Sequence, residues 1–250
     1  MSTATAPPVT RTPRHCALVR VTHWITTVAF LALLVTGGEI VISHPRFYWG
    51  ETGNVNMKPL FTIPIPASRD TVPTGYGYVM PDQNGWSRYL HFEAAWVLVL
   101  TALVYGIWGL WSGHFRRNLW PVRGERNVRA MWARMTRYLR RAPPDADEAN
   151  AYNVLQRVAY LAVIFVLVPL TILTGLALSP SFNSAVPEIV NGLGGRQSAR
   201  TLHFFLSWAL LIFLVAHVTM VAVSGFRVRM RAMITGRGVD SRDDKAGAQR

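Results

Sequence analysis

The sequence predicts an all-α fold, an integral membrane four-helix bundle with a long periplasmic loop between helices 1 and 2. Three observations carry that prediction. Half of the residues are hydrophobic and only 16% are charged. The charges are gathered between four long apolar stretches, which contain almost none. Each stretch has the roughly 20 residues that a helix needs to cross about 30 Å of hydrocarbon.

The four spans are expected at about 21–42, 89–111, 154–178 and 201–224. The first is the least apolar, because Thr26, Thr27, Thr36 and Glu39 dilute it. The third is the clearest, since Leu161 to Leu178 contains no ionisable residue. Pro169 lies inside it and is expected to kink the helix, which neighbouring helices tolerate in a membrane.

Loop charges set the orientation. The segment between the second and third spans carries nine arginines, from Arg116 to Arg141, and the C-terminal segment carries Arg227, Arg229, Arg231, Arg237 and Arg242. Arg11, Arg14 and Arg20 precede the first span. The loop from Ser179 to Ala199 holds only Arg196 and Glu188, and in the loop from His44 to Ser87 three cations are offset by three acids. Both termini and the middle loop are therefore expected in the cytoplasm of a bacterial inner membrane. Residues 1–19 read as a disordered tail, 20–225 as the membrane domain and 226–250 as a basic cytoplasmic tail. The N-terminal residues lack the apolar core and cleavage site of a signal peptide, so the first span is expected in the mature protein.

The formal net charge of +13 does not indicate nucleic acid, because the basic residues flank apolar spans instead of forming a soluble basic face. The single cysteine, Cys16, excludes an internal disulfide, an iron–sulfur cluster held by this chain alone, and thioether attachment of haem through CxxCH. The stretch from Pro45 to Gly85 is rich in proline, glycine and aromatic residues. Its length and its rings (Phe47, Tyr48, Trp49, Phe61, Tyr76, Tyr78) predict an ordered cap on the outer surface.

Four of the seven histidines lie in the spans: His23, His91, His203 and His217. A polar group in hydrocarbon is costly and marks function by default. Their depths sort them into two levels. His91 and His203 open the second and fourth spans at the outer side, whereas His23 enters the first span at the inner side. His217 lies 14 residues beyond His203, which is about 21 Å along the axis and within about 40° of the same face. The spacing predicts an outer pair, His91 with His203, and an inner pair, His23 with His217. Each pair could place two imidazoles on opposite faces of a porphyrin, giving two haem b groups stacked across the bilayer.

Arginine precedes histidine by three residues at Arg20–His23, Arg88–His91 and Arg200–His203. Residues three apart share a helix face, so each guanidinium lies one turn toward water, where a haem propionate should emerge. Glycines 37, 38, 106, 109 and 175 are candidates for close approach of a macrocycle or of another helix.

The segments RVTHW (20–24), RYLHF (88–92), YNVLQRVAYLAVIFVLVPLTILTGLALSP (152–180) and RTLHFFLSWALLIFLVAHV (200–218) resemble the di-haem cytochrome b subunits of respiratory formate dehydrogenases, thiosulfate reductases and nickel–iron hydrogenases. The resemblance covers all four spans. It implies a membrane-anchoring subunit that links a periplasmic oxidoreductase to the quinone pool, with haem ligands at His23, His91, His203 and His217. It also implies a quinone pocket beside the inner haem, near Tyr152, Asn153 and Gln156. The long outer loop departs from the hydrogenase and formate dehydrogenase members and is similar to cytochromes that accompany periplasmic molybdopterin oxidoreductases. The partner would be a periplasmic subunit carrying molybdopterin, iron–sulfur clusters or a c-type cytochrome. Two other functions compete: a stand-alone membrane haem reductase, and a haem-free metal transporter using the same histidines.

Overall fold

The computed structural model describes residues 15–54, 56–64, 83–120, 136, 154–223 and 225–236. Among the described residues there are four long helical rods. They are α1 (Ala17–Ser43), α2 (Gln83–Trp111), a third rod made of α3 (Val154–Ala162) and α4 (Val168–Ala177), and α7 (Arg196–Val223). Four of these helical segments are long and apolar enough to cross a membrane. α1, α2 and α7 begin four to six residues before the apolar spans. Hydropathy marks the edge of the hydrocarbon, and the helical backbone continues past it into polar sequence.

The third rod shows how Pro169 is accommodated. A π-helical turn, Val163–Leu167, joins α3 to α4, and the Val168 amide donates to the Val163 carbonyl. Proline has no N–H to continue the ladder, so the chain widens its turn just ahead of it.

α1 packs chiefly on α2, and α4 on α7. Large apolar side chains such as Val28, Val35, Leu100, Ile107 and Ile212 face outward, as expected of helices solvated by lipid tails. The interior instead uses small residues. Ala29, Thr36, Thr101, Thr174 and Thr201 are buried, and Thr36, Thr101 and Thr174 each return their hydroxyl proton to a carbonyl four residues back at 2.7–2.8 Å. A threonine satisfied in this way can sit between helices without an unpaired donor.

At the end of the bundle where α1 stops and α7 starts, here called the outer end, the chain forms a cap. Two short strands, β1 (Arg46–Phe47) and β2 (Phe61–Thr62), pair antiparallel with Arg46 opposite Thr62. Phe47 stacks on Phe61 at 4.7 Å and tilts against Phe204 of α7 at 4.5 Å. Two short helices, α5 (Pro180–Ala185) and α6 (Pro187–Gly192), close the same end, and Ala177, Val190 and Ala199 bury one another beneath them.

At the inner end, Gly225 takes a left-handed conformation (φ 95°) that turns the chain into α8 (Phe226–Thr235). This helix occupies the first ten residues of the segment read as a basic tail. It returns to α1: the Arg20 guanidinium donates to the Ile234 carbonyl at 2.8 Å, and the Trp24 indole donates to that of Met233 at 3.4 Å.

Candidate functional site

The bundle brings the four intramembrane histidines together as two pairs. His91 of α2 faces His203 of α7 with ring centroids 6.4 Å apart. His23 of α1 faces His217 of α7 with centroids 6.3 Å apart. Because α7 is one unbroken helix, the pairs are separated by about 21 Å along its axis.

The two outer rings are held in matching ways by different helices. The Thr36 hydroxyl of α1 lies 2.9 Å from His91 Nδ1, and the Thr174 hydroxyl of α4 lies 3.0 Å from His203 Nδ1. Thr36 already donates its proton to the Ala32 carbonyl, and Thr174 to that of Leu170. Each oxygen is therefore free to accept, and the imidazole N–H is the donor. His203 Nδ1 also lies 3.1 Å from the Thr171 carbonyl, which can only accept. Both outer histidines thus carry their proton on Nδ1 and keep a bare lone pair on Nε2. That tautomer is the one a metal-ligating imidazole needs.

A glycine follows each threonine and lies against the same ring. A Cβ on Gly37 would stand 3.5 Å from His91 Cε1, and one on Gly175 would stand 3.2 Å from His203 Cε1. The other candidate glycines have different surroundings. Around Gly38 and Gly106 there is open space, and Gly109 lies under the Phe115 ring.

The inner pair is dressed differently. His217 Nδ1 is 3.4 Å from the Tyr160 hydroxyl of α3, and its ring stacks on Phe213. His23 Nδ1 is buried without a hydrogen-bond partner among the described residues.

The arginines that precede the histidines make different contacts. Arg20 ties α1 to α8, as described above. Arg200 donates to the His44 carbonyl and lies over the Phe47 ring at 4.9 Å, fastening the start of α7 to the end of α1. Arg88 is exposed in the second turn of α2. Burial pushes the His44 imidazole below its ordinary range, and the charges of Arg200 and then Arg88 push it further, against a smaller upward pull from the Ile40 carbonyl. The two outer guanidiniums therefore share one neighbourhood.

A testable consequence follows from His44. The unfolded chain takes a proton on this ring near pH 6.5, where the folded chain resists it. The stability gained from keeping it neutral is present above that pH and is lost as pH falls toward the lower folded value. Wild-type protein is expected to lose more Tm between pH 7.5 and 5.5 than His44→Gln does. Equal losses would remove His44 from the account.

Of the quinone residues expected from the resemblance, Gln156 lies in the first turn of α3, and Tyr152 and Asn153 fall outside the described residues. A cavity of about 840 Å³ opens at the inner end of α2, lined by Gly109, Phe115, Arg116, Trp120 and Phe165. His114 is placed beside it, with Nδ1 2.9 Å from Asn118 Nδ2 and its ring among Tyr105, Trp108 and Phe115.

These pairs fit an axially ligated macrocycle. Two metal–imidazole bonds of about 2 Å, with the half-width of each ring, put centroids about 6 Å apart. A porphyrin would supply the four remaining donors, so the two imidazoles of a pair would be the residues that hold it. The family model for prokaryotic cytochrome b561 matches residues 14–236, nearly the whole chain.

The chain belongs to the prokaryotic cytochrome b561 family.

This cytochrome b561 chain is 32% identical over 209 residues to a putative protein-methionine-sulfoxide reductase subunit, YedZ1, of Azospira oryzae, a match covering 84% of this chain and 90% of that protein. It is 26% identical over 216 residues to a probable Ni/Fe-hydrogenase B-type cytochrome subunit of Cupriavidus necator, covering 81% and 75%. A protein of the same description from Bradyrhizobium diazoefficiens is 25% identical over 213 residues, covering 81% and 74%. The chain is thus a multi-pass membrane cytochrome that binds haem b and carries electrons as a subunit of a larger system.

Proposed function

We propose that this cytochrome holds two haem b groups, His91 and His203 ligating the outer one and His23 and His217 the inner one. It would thereby carry electrons across the membrane between a periplasmic redox partner and quinone at the cytoplasmic side. The observation that carries this reading is the pairing itself: two facing imidazole pairs of equal separation, one at each level of a single helix. When bound, each haem supplies a one-electron iron couple.

The chain's own residues account for the rest of each site. Thr36 and Thr174 present the outer imidazoles in the ligating tautomer. Arg88 and Arg200 lie at the outer end, where propionates would reach water, and Arg20 is their counterpart at the inner end. A guanidinium has five donors, so the carbonyl contacts made by Arg20 and Arg200 leave capacity for a carboxylate. The arginines of α8 and of the flanking loops favour the cytoplasm for both termini. Quinone would bind near Gln156, together with Tyr152 and Asn153, beside the inner pair.

The named assemblies of the relatives, a protein-methionine-sulfoxide reductase and Ni/Fe-hydrogenases, support an oxidoreductase partner, which this reading places on the outer side. A periplasmic molybdopterin subunit suits the first of these best, with iron–sulfur or c-type cytochrome subunits as the alternatives. The docked outer loop offers it an exposed apolar rim, Trp49, Met57 and Leu60.

A reduced-minus-oxidised spectrum with a haem assay on purified protein is expected to show b-type bands and two haems per chain. A colourless or single-haem preparation would refute the pairing. The glycines offer a finer test. Gly175→Ala places a Cβ 3.2 Å from a ring that Thr174 and Thr171 already hold, so His203 must shift. Gly37→Ala makes only an ordinary contact at 3.5 Å. Gly175→Ala is expected to weaken outer-haem retention by about tenfold, a typical cost of disturbing a ligand's support. Gly37→Ala should retain it, and equal retention in the two variants would contradict the cradle at His203.

A further inference from the structure

The two histidine pairs differ in what their Nδ1 atoms meet, and the difference has a chemical consequence. Each outer ring donates its Nδ1–H to a threonine oxygen at 2.9–3.0 Å, and His203 has the Thr171 carbonyl as well. The inner pair has one long contact, from Tyr160 to His217 at 3.4 Å, and at His23 no partner among the described residues. A hydrogen bond accepted from Nδ1–H draws that proton outward and makes Nε2 a stronger donor. A stronger axial donor favours the more positive oxidation state of its iron.

We infer that Thr36 and Thr174 are positioning residues that lower the midpoint potential of the outer haem and leave the inner haem untouched. This rests on the assignment of His91 and His203 as its ligands. The couple affected is a one-electron change at iron. No bond forms or breaks in it, and the Nδ1 proton stays on its ring. The two threonines bias the electron toward the inner level, away from the outer partner. They come from α1 and α4, whereas the ligands come from α2 and α7, so all four spans contribute to one site. Both threonines are almost wholly buried, at 0% and 1% exposure, so water does not substitute for their hydroxyls.

The test is a potentiometric titration of the full-length, haem-loaded protein. Wild type is expected to titrate as two one-electron components. In the Thr36→Val/Thr174→Val protein, which keeps side-chain shape but loses both acceptors, one component is expected to rise. At a fixed poise the reduced-to-oxidised ratio of that haem should increase by about tenfold, equivalent to 59 mV for one electron. The other component should not move. Thr36→Ser/Thr174→Ser keeps the hydroxyls and should restore the wild-type value.

Two haems with unmoved potentials in the valine protein would overturn the inference while leaving the haem assignment intact. So would a serine protein that behaves like the valine one, since that result would indicate packing. A wild type with one haem, or none, would remove the assignment itself. If the double valine protein sheds haem, the single Thr36→Val protein serves instead. In its reduced, diamagnetic form, nitrogen chemical shifts of labelled histidine should change at His91 Nδ1 and at neither inner ring. Unchanged shifts at His91 would overturn the inference equally.

Discussion

Replacing His203 with alanine is expected to halve the haem b content, from the two per chain proposed for the wild type to one. On the proposed assignment this ring is the outer ligand contributed by α7, and its Nδ1 is fixed by Thr174 and by the Thr171 carbonyl. Truncation removes the donor that faces His91 across 6.4 Å. It also leaves Thr174 as an acceptor with nothing to accept from. The inner pair should survive, because His217 lies about 21 Å further along the same helix and sites more than about 10 Å apart behave almost independently. His217→Ala should give the mirror result, with the inner haem absent and quinone reactivity abolished. A haem assay and a redox titration of each variant distinguish the two losses, and electron transfer from end to end should fall to background in both. Loss of both haems from either variant, with the bundle still folded, would contradict two independent levels.

Much of this architecture is legible in the sequence because membrane helices write their constraints locally. The four apolar stretches follow from bilayer thickness alone. The 14-residue interval between His203 and His217 encodes both a depth and a face, so the two levels follow from helical geometry. What the sequence hides is whatever crosses between helices. Thr36 is 55 residues from His91, and in the sequence it only dilutes an apolar span. Thr174 looks equally incidental in the third. The one available signal was that both are followed by glycine (Thr36–Gly37 and Thr174–Gly175) at the outer level of their spans. Tyr160 gave no such hint. At Pro169 the sequence predicts a kink but not its form, a π-turn placed directly ahead of the proline. The contact of the outer loop with α7 is also hidden, because each of its hydrogen bonds uses a backbone atom on at least one side and so leaves no paired side chains to read.

That contact underlies the second large effect: Gly195→Ala is expected to destabilise the protein by about 2–4 kcal/mol. Gly195 precedes α7 with φ of +99°, and an added Cβ would lie 2.6 Å from the Gly50 carbonyl carbon and 2.7 Å from the Glu51 nitrogen. Backbone cannot swing aside as a side chain does. The first turn of α7 depends on this approach, since the opening N–H groups of a helix lack internal partners. Gly50 O accepts from the amides of Gln197 at 2.9 Å and Ser198 at 3.2 Å, and the Glu51 carboxylate accepts from the Arg196 amide at 3.0 Å. Gly50 N–H donates to the Ser198 hydroxyl at 2.8 Å, and the Thr201 hydroxyl donates to the Tyr48 carbonyl at 2.7 Å. The loop thus caps a helix about 145 residues away in sequence, and its carboxylate meets the positive end of the helix dipole.

Left-handed strain in a non-glycine residue costs about 1–3 kcal/mol, and each hydrogen bond lost adds about 1 kcal/mol. The variant should therefore melt well below Gly192→Ala, where an added Cβ meets nothing within 4 Å. Its loop between residues 44 and 64 should also become cleavable by added protease. Because Arg200 and His203 follow within eight residues of Gly195, a loosened start of α7 should lower outer-haem occupancy and spare the inner haem. A variant that melts like Gly192→Ala would show that the loop merely rests on α7. Coupled loss of loop protection and outer haem would show that this backbone contact holds the outer site in register.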